Sequence, residues 1–233
     1  MYAWDTRILY SQLGPDGRLS LTGLLDLFQD IATLHAEDFG SGLDTLTAGG
    51  RAWLLSRWRI RLGQLPRSAA SVQVRTQAYE SRMSLNRRWF SLHDEAGAQL
   101  AVADSLWTLA DRTTGSPVNA MQEVQPYLEP GDGPQLGDLP RRVAIPADAV
   151  SGTPFAITDD LLDTNHHVNN VQSVRLAMRF LPGDMTVSAL AVDYHRPLLP
   201  GAVVTPLCAP TEKGFSVTLC VDGQTCVCAE FFQ

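Results

Sequence analysis

The stretch Asp163-Thr164-Asn165-His166-His167-Val168-Asn169-Asn170 decides how the chain is read. It places one carboxylate, three carboxamides and two imidazoles side by side. Directly after it, Val171, Val174, Leu176, Ala177, Met178, Phe180 and Leu181 recur at helical spacing, which predicts a helix over 169–181. Asn is a common residue at a helix start, because its side chain satisfies an orphan N–H. Capping therefore accounts for Asn169 or Asn170. It does not account for Asp163, Asn165 and His167 at alternate positions. His166, one step out of that register, points the other way in an extended segment and reads as a bystander.

Working outward, strands follow the helix at 187–196, 202–209, 214–221 and 224–232. The first half carries the same order. Leu24, Leu25, Leu27, Phe28, Ile31, Ala32, Leu34 and His35 give an apolar face to a helix over 22–39. Alternating patterns then predict strands at 53–62, 72–79, 86–93 and 99–110. Leu62-Gly63-Gln64-Leu65-Pro66 matches Arg196-Pro197-Leu198-Leu199-Pro200-Gly201 as a break between strands. Two copies of a helix followed by four strands imply a duplicated unit. Only the second copy carries the polar group, since Leu13–Leu21 holds nothing like it. Between the copies, residues 113–154 hold seven of the chain's fourteen prolines and no sustained pattern, which marks a connector.

The element pattern is that of an α+β protein, and the bulk numbers allow it. The chain has 233 residues with 45% apolar content, enough for one large domain or two small ones of roughly 100 residues each. A net charge of −7 argues against nucleic-acid or anionic-membrane binding. The first residues, MYAWDTRILYSQ, form no secretory signal, and no apolar run approaches a membrane span. Cys208, Cys220, Cys226 and Cys228 have no metal-ligand spacing and read as reduced thiols in strands. A cytoplasmic protein is expected.

The sequence resembles the acyl-acyl-carrier-protein (acyl-ACP) thioesterases. In the second half the resemblance rests on Asp163-x-Asn165-x-His167-Val168-Asn169-Asn170. In the first it rests on Gln29-Asp30-Ile31-Ala32 with His35, Trp53-Leu54-Leu55-Ser56-Arg57, Pro66, and Ser105-Leu106-Trp107-Thr108-Leu109. It implies a double hot-dog, with a long helix wrapped by a curved antiparallel sheet in each half. The expected domains are an acyl-binding hot-dog over 1–112, the connector over 113–154 and a catalytic hot-dog over 155–233. The implied reaction is hydrolysis of acyl-ACP to free fatty acid and carrier protein, with no metal and no cofactor. Asp163, Asn165 and His167 are the implied catalytic group. Asn169, Asn170, Trp53, Gln29, Arg57 and Arg59 are the expected substrate-binding residues. Arg57, Arg59 and Arg61 share one strand face and form a candidate docking strip for the acidic carrier, helped by Arg87 and Arg88 or Arg141 and Arg142; the plain alternative is a solvated face. A monomer or a homodimer fits.

Residue chemistry supports the same assignment. Thioester hydrolysis needs an activated water and donors for the oxyanion. A neutral imidazole suits base work near neutral pH, and Asp163 suits either orienting it or acting itself. Both remain open as the base. The sequence departs from the resemblance at Ser173, where a tyrosine is usual, and at Pro197-Leu198, where plant members carry Glu-Cys. A nucleophilic cysteine at that place is thereby ruled out. The alternatives are an acyl-CoA thioesterase on the same fold and a non-catalytic acyl-binding hot-dog module.

Overall fold

A computed structural model describes all residues, Met1–Gln233. The chain groups into two compact units, 1–56 with 60–137, and 57–59 with 138–233. Each is a helix laid on an antiparallel sheet, the repeated hot-dog unit that the duplicated pattern calls for.

In the first unit, strand β1 (Tyr2–Arg7) leads through a short 3-10 turn to helix α1 (Leu21–Asp38) and a small helix α2 (Leu43–Ala48). Strands β2 (Arg51–Leu62), β3 (Ser71–Arg82), β4 (Leu85–Asp94) and β5 (Gln99–Asp111) follow, in the sheet order β1-β3-β4-β5-β2. Ser20 caps α1 by accepting from the N–H of Gly23 at 3.0 Å. The helix buries Leu24, Leu25, Leu27, Phe28 and Ile31 against the sheet, as its periodicity requires. Leu34, expected on that face, is exposed.

The connector is ordered. Helix α3 (Met121–Val124) lies within it, and its Ala120, Val124 and Tyr127 join Leu46, Ala78 and Leu109 in a core cluster. Proline punctuation hides this from the sequence, because the buried residues come singly rather than in a period.

In the second unit, strands β6 (Val150–Ser151) and β7 (Phe155–Ala156) precede helix α4 (Asn170–Met178). Strands β8 (Ala189–Tyr194), β9 (Val203–Thr211), β10 (Gly214–Val221) and β11 (Gln224–Phe232) complete it in the order β8-β11-β10-β9. The outer side of β9 is taken by β6 at Leu207 and Cys208 and by β7 at Val203 and Val204. Helix α4 ends three residues before the predicted 181. Residues 179–181 keep the apolar spacing, but their N–H groups bond three residues back, a tightened last turn. No helix is long and apolar enough to cross a membrane.

Candidate active site

Residues 163–167 form a closed turn on the second unit. A 3-10 turn over Asp159–Leu161 enters it, and an antiparallel bridge between Leu162 and Val168 shuts it. The Asp163 N–H donates to His167 O at 2.8 Å, and the His166 N–H donates to Asp163 O at 3.0 Å. One carboxylate oxygen of Asp163 also accepts the N–H groups of Asn165 (2.8 Å) and His167 (3.4 Å). Asp163, Asn165 and His167 are half-buried, whereas Thr164 and His166 are exposed. The alternation read from the sequence thus sorts the segment into an inner set of three and an outer set of two.

The exit of the turn is held as firmly. The Val168 N–H donates to Leu198 O at 2.9 Å, and the Asn169 N–H donates to Leu161 O at 2.9 Å. Asn169 is the cap of α4, its Oδ1 accepting from Val171 N–H at 2.8 Å. Asn170 opens the helix, and its carbonyl accepts the Tyr194 hydroxyl at 3.0 Å. Pro197-Leu198, where plant members of the resemblance carry Glu-Cys, therefore lies directly against this turn, with Leu198 buried and its carbonyl engaged.

The first unit contains the same turn. A 3-10 turn over Tyr10–Gln12 enters it and a Leu13–Leu19 bridge shuts it. Gly14 N–H donates to Arg18 O at 2.7 Å, Gly17 N–H to Gly14 O at 3.0 Å, Leu19 N–H to Pro66 O at 2.8 Å and Ser20 N–H to Gln12 O at 2.9 Å. Each bond repeats one in 162–169, position for position. Gly14, Asp16 and Arg18 stand where Asp163, Asn165 and His167 stand, and Gly17 stands where His166 does. Gly17 has φ +71° and His166 has φ +59°. Left-handed backbone is free for glycine and costs a residue with a Cβ roughly 1 kcal/mol or more. The bonds also set the duplication's register. Pro66 matches Leu198, and the end of β2 at Leu62 matches the end of β8 at Tyr194. The sequence matched Leu62 with Arg196, two residues away.

This internal copy weighs the plain reading of the motif. If Asp163 served only to shape the turn, a turn without it would differ. The 14–18 turn closes with glycine in that place. The shape needs neither a carboxylate first nor an imidazole fifth.

The remaining expected site residues are dispersed. Gln29 lies half-buried on α1, and Trp53 packs on the cluster around Tyr127, both in the first unit. Arg59 corrects the docking strip. It is only 5% exposed, and its guanidinium donates to the carbonyls of Pro140 (2.5 Å), Trp58 (2.6 Å), Val192 (2.8 Å) and Arg141 (2.9 Å) and to Asp193 Oδ1 (2.7 Å). Arg57 reaches the same carboxylate at 3.3 Å, and Asp193 Oδ2 accepts Val143 N–H at 2.8 Å. Arg61 donates to Leu136 O at 2.6 Å. These arginines fasten the connector, with Arg59 buried and Arg57 and Arg61 half-buried. Arg88 is buried too, bonded to His35 and Thr76. Arg141 and Arg142 are exposed.

The four thiols are free and lie in β9, β10 and β11. Burial raises the Cys208 and Cys226 thiols and pushes Cys228 up to about 11, so these three are not ready thiolates.

Comparison with known proteins accords with this architecture. The family model for the acyl-ACP thioesterase N-terminal domain matches residues 1–127, more than half of the chain. No curated protein matches in sequence. Among solved structures, an acyl-ACP thioesterase from Bacteroides thetaiotaomicron is 20% identical with a TM-score of 0.88, over 99% of this chain and 96% of that one. A protein described as an oleoyl thioesterase from Lactobacillus plantarum is 23% identical with a TM-score of 0.87, over 99% and 94%. The 12:0-ACP thioesterase from Umbellularia californica is 19% identical with a TM-score of 0.85, over 99% and 96%. At these identities the likeness shows the fold, a double hot-dog along the whole chain. With the family model matched across its first half, the chain belongs to the acyl-ACP thioesterase family and is a thioester hydrolase.

Proposed function

We propose that the protein hydrolyses the acyl-ACP thioester in the cytoplasm, releasing free fatty acid and carrier protein and so ending chain elongation, with Asp163, Asn165 and His167 as its catalytic group. The observation that carries the assignment is the pair of equal turns. The first is built from Gly14, Asp16 and Arg18, and the second presents three half-buried groups suited to handling a water.

The chemistry runs as follows. The water oxygen attacks the thioester carbonyl carbon while its proton passes to a base, Asp163 or His167. Asn165 holds the water or the carbonyl oxygen. The oxyanion is stabilised by the N–H groups of Asn170 and Gln172 in the first turn of α4, which have no partner inside the helix and sit at the positive end of its dipole. The intermediate collapses, the carbon–sulfur bond breaks and the departing thiolate takes a proton. Trp53, Gln29, Asn169, Asn170 and Arg57 are the proposed substrate contacts. Arg59 is withdrawn from that set because its donors are already engaged.

The decisive measurement compares kcat/KM for acyl-ACP and acyl-CoA of matched chain, in the parent and in Asp163→Asn and His167→Ala. Preference for acyl-ACP with both variants slowed at least about a hundredfold is expected. Preference for acyl-CoA moves the substrate assignment. Turnover undiminished in both variants sinks the catalytic assignment.

A further inference from the structure

We infer that Tyr194 is a positioning residue for this reaction, locking the first peptide unit of helix α4 just after the reaction turn. The inference rests on the catalytic reading of 163–167 given above. The carbonyl of Asn170 and the N–H of Val171 belong to one peptide plane. The Tyr194 hydroxyl donates to the carbonyl end at 3.0 Å, and the Asn169 side chain accepts from the N–H end at 2.8 Å. Just upstream, Val168 N–H is held by Leu198 O and Asn169 N–H by Leu161 O. Residues 194 and 198 thus grip 168 and 170 from one short segment leaving β8. That segment is itself tied to β11 by His195 N–H donating to Cys226 O at 2.8 Å.

Two differences between the units set this grip apart. The first unit repeats the main-chain half of it, Leu19 N–H on Pro66 O, but places Leu62 where the second unit has Tyr194. The hydroxyl bond therefore occurs only beside the turn that carries Asp163, Asn165 and His167. The helices differ as well. Helix α1 has 18 residues and a continuous buried face, whereas α4 has nine. A short helix frays at its ends, since few propagating bonds offset its costly first turn. Its first peptide needs an outside hold if N–H groups there are to stay aimed at one point. Burial keeps the phenol un-ionised, so it remains a donor throughout the working pH range.

Tyr194→Phe removes the hydroxyl and keeps the ring. The expected result, in full-length protein, is a fall in kcat of about five- to tenfold with KM within about twofold. The pH–rate profile keeps its position, and hydrogen exchange at Val171 and Gln172 accelerates. Thr218→Val, which deletes a buried hydroxyl on β10, serves as the control for a merely structural loss and should leave kcat unchanged. A Tyr194→Phe enzyme with parental kcat overturns the inference, as does an equal loss of kcat in Thr218→Val. Asp163→Asn and His167→Ala run alongside. If both keep full turnover, the catalytic reading fails; if both are inactive while Tyr194→Phe is not, only the role of Tyr194 fails.

Discussion

Nη1 of Arg88 donates to Nδ1 of His35 across 2.9 Å in the buried interior of the first unit. A guanidinium has no acceptor, so Nδ1 must carry the lone pair and the ring proton must sit on Nε2. The imidazole also stacks on Tyr2 at 4.6 Å and meets the edge of Phe39. Burial, and then the Arg88 charge, hold the His35 pKa down to about 3 from an ordinary 6.5.

The stability consequence has a definite sign. The unfolded chain takes up this proton near pH 6.5, and the folded one does so only near pH 3. The contribution is fully present above pH 6.5 and is lost progressively as pH falls towards 3. Melting temperature should decline already between pH 6.5 and 5, before most carboxylates protonate. His35→Asn, whose side-chain oxygen replaces Nδ1 as acceptor, should flatten that part of the curve. An unchanged slope in the variant excludes His35 as the source.

The two adjacent histidines of the motif should separate cleanly. His166→Gly adopts the left-handed backbone that Gly17 adopts in the sister turn, and its stability should stay within about 1 kcal/mol of the parent. His166→Val, with a branched Cβ at φ +59°, should cost about 1–2 kcal/mol. Both should retain kcat/KM within about twofold, since rate follows transition-state contacts and His166 points outward. Urea unfolding and steady-state kinetics on the same preparations check this.

Arg59 should behave as a structural cation. Replacing it by Met leaves Asp193 buried without its nearest charge, which typically costs about 3–5 kcal/mol. Arg57→Gln, with a longer bond and a more exposed side chain, should cost about 1 kcal/mol or less. Denaturant midpoints of the two variants, compared at equal m-value, give the ordering.

Carrier docking, if it draws on positive charge, falls to arginines with open side chains. Arg141→Glu with Arg142→Glu should raise KM for acyl-ACP well beyond any change for a small acyl thioester. Equal effects on both substrates exclude these two residues from docking.

Much of this was readable before any coordinates. Strands β10 and β11 end where the sequence places them, because Gly214 and the Asp222-Gly223 pair punctuate a clean alternation. The polar set at 163–167 is visible because three side chains of unlike chemistry share one register. What escaped depends on distant partners. Alternation puts Arg57, Arg59 and Arg61 on one face of β2, but it cannot say that residues 136–143 cover that face. The turn at 14–18 shares no side-chain chemistry with 163–167. Its identity lies in backbone bonds that glycine and proline make as well as asparagine and histidine, so only coordinates reveal it. Tyr194 escaped for a related reason, since a tyrosine at a strand end does not announce which carbonyl it meets.

The two short strands along β9 bear on how the protein behaves when crowded. A sheet margin with a run of free N–H and C=O groups invites a strand from a neighbouring chain. Here β7 takes Val203 and Val204, Gly152 donates to Pro206 O, and β6 takes Leu207 and Cys208. Pro206 and Pro210 have no N–H to offer. The margin is left with no continuous ladder to template, which guards concentrated solutions of this enzyme against strand-by-strand aggregation from that side.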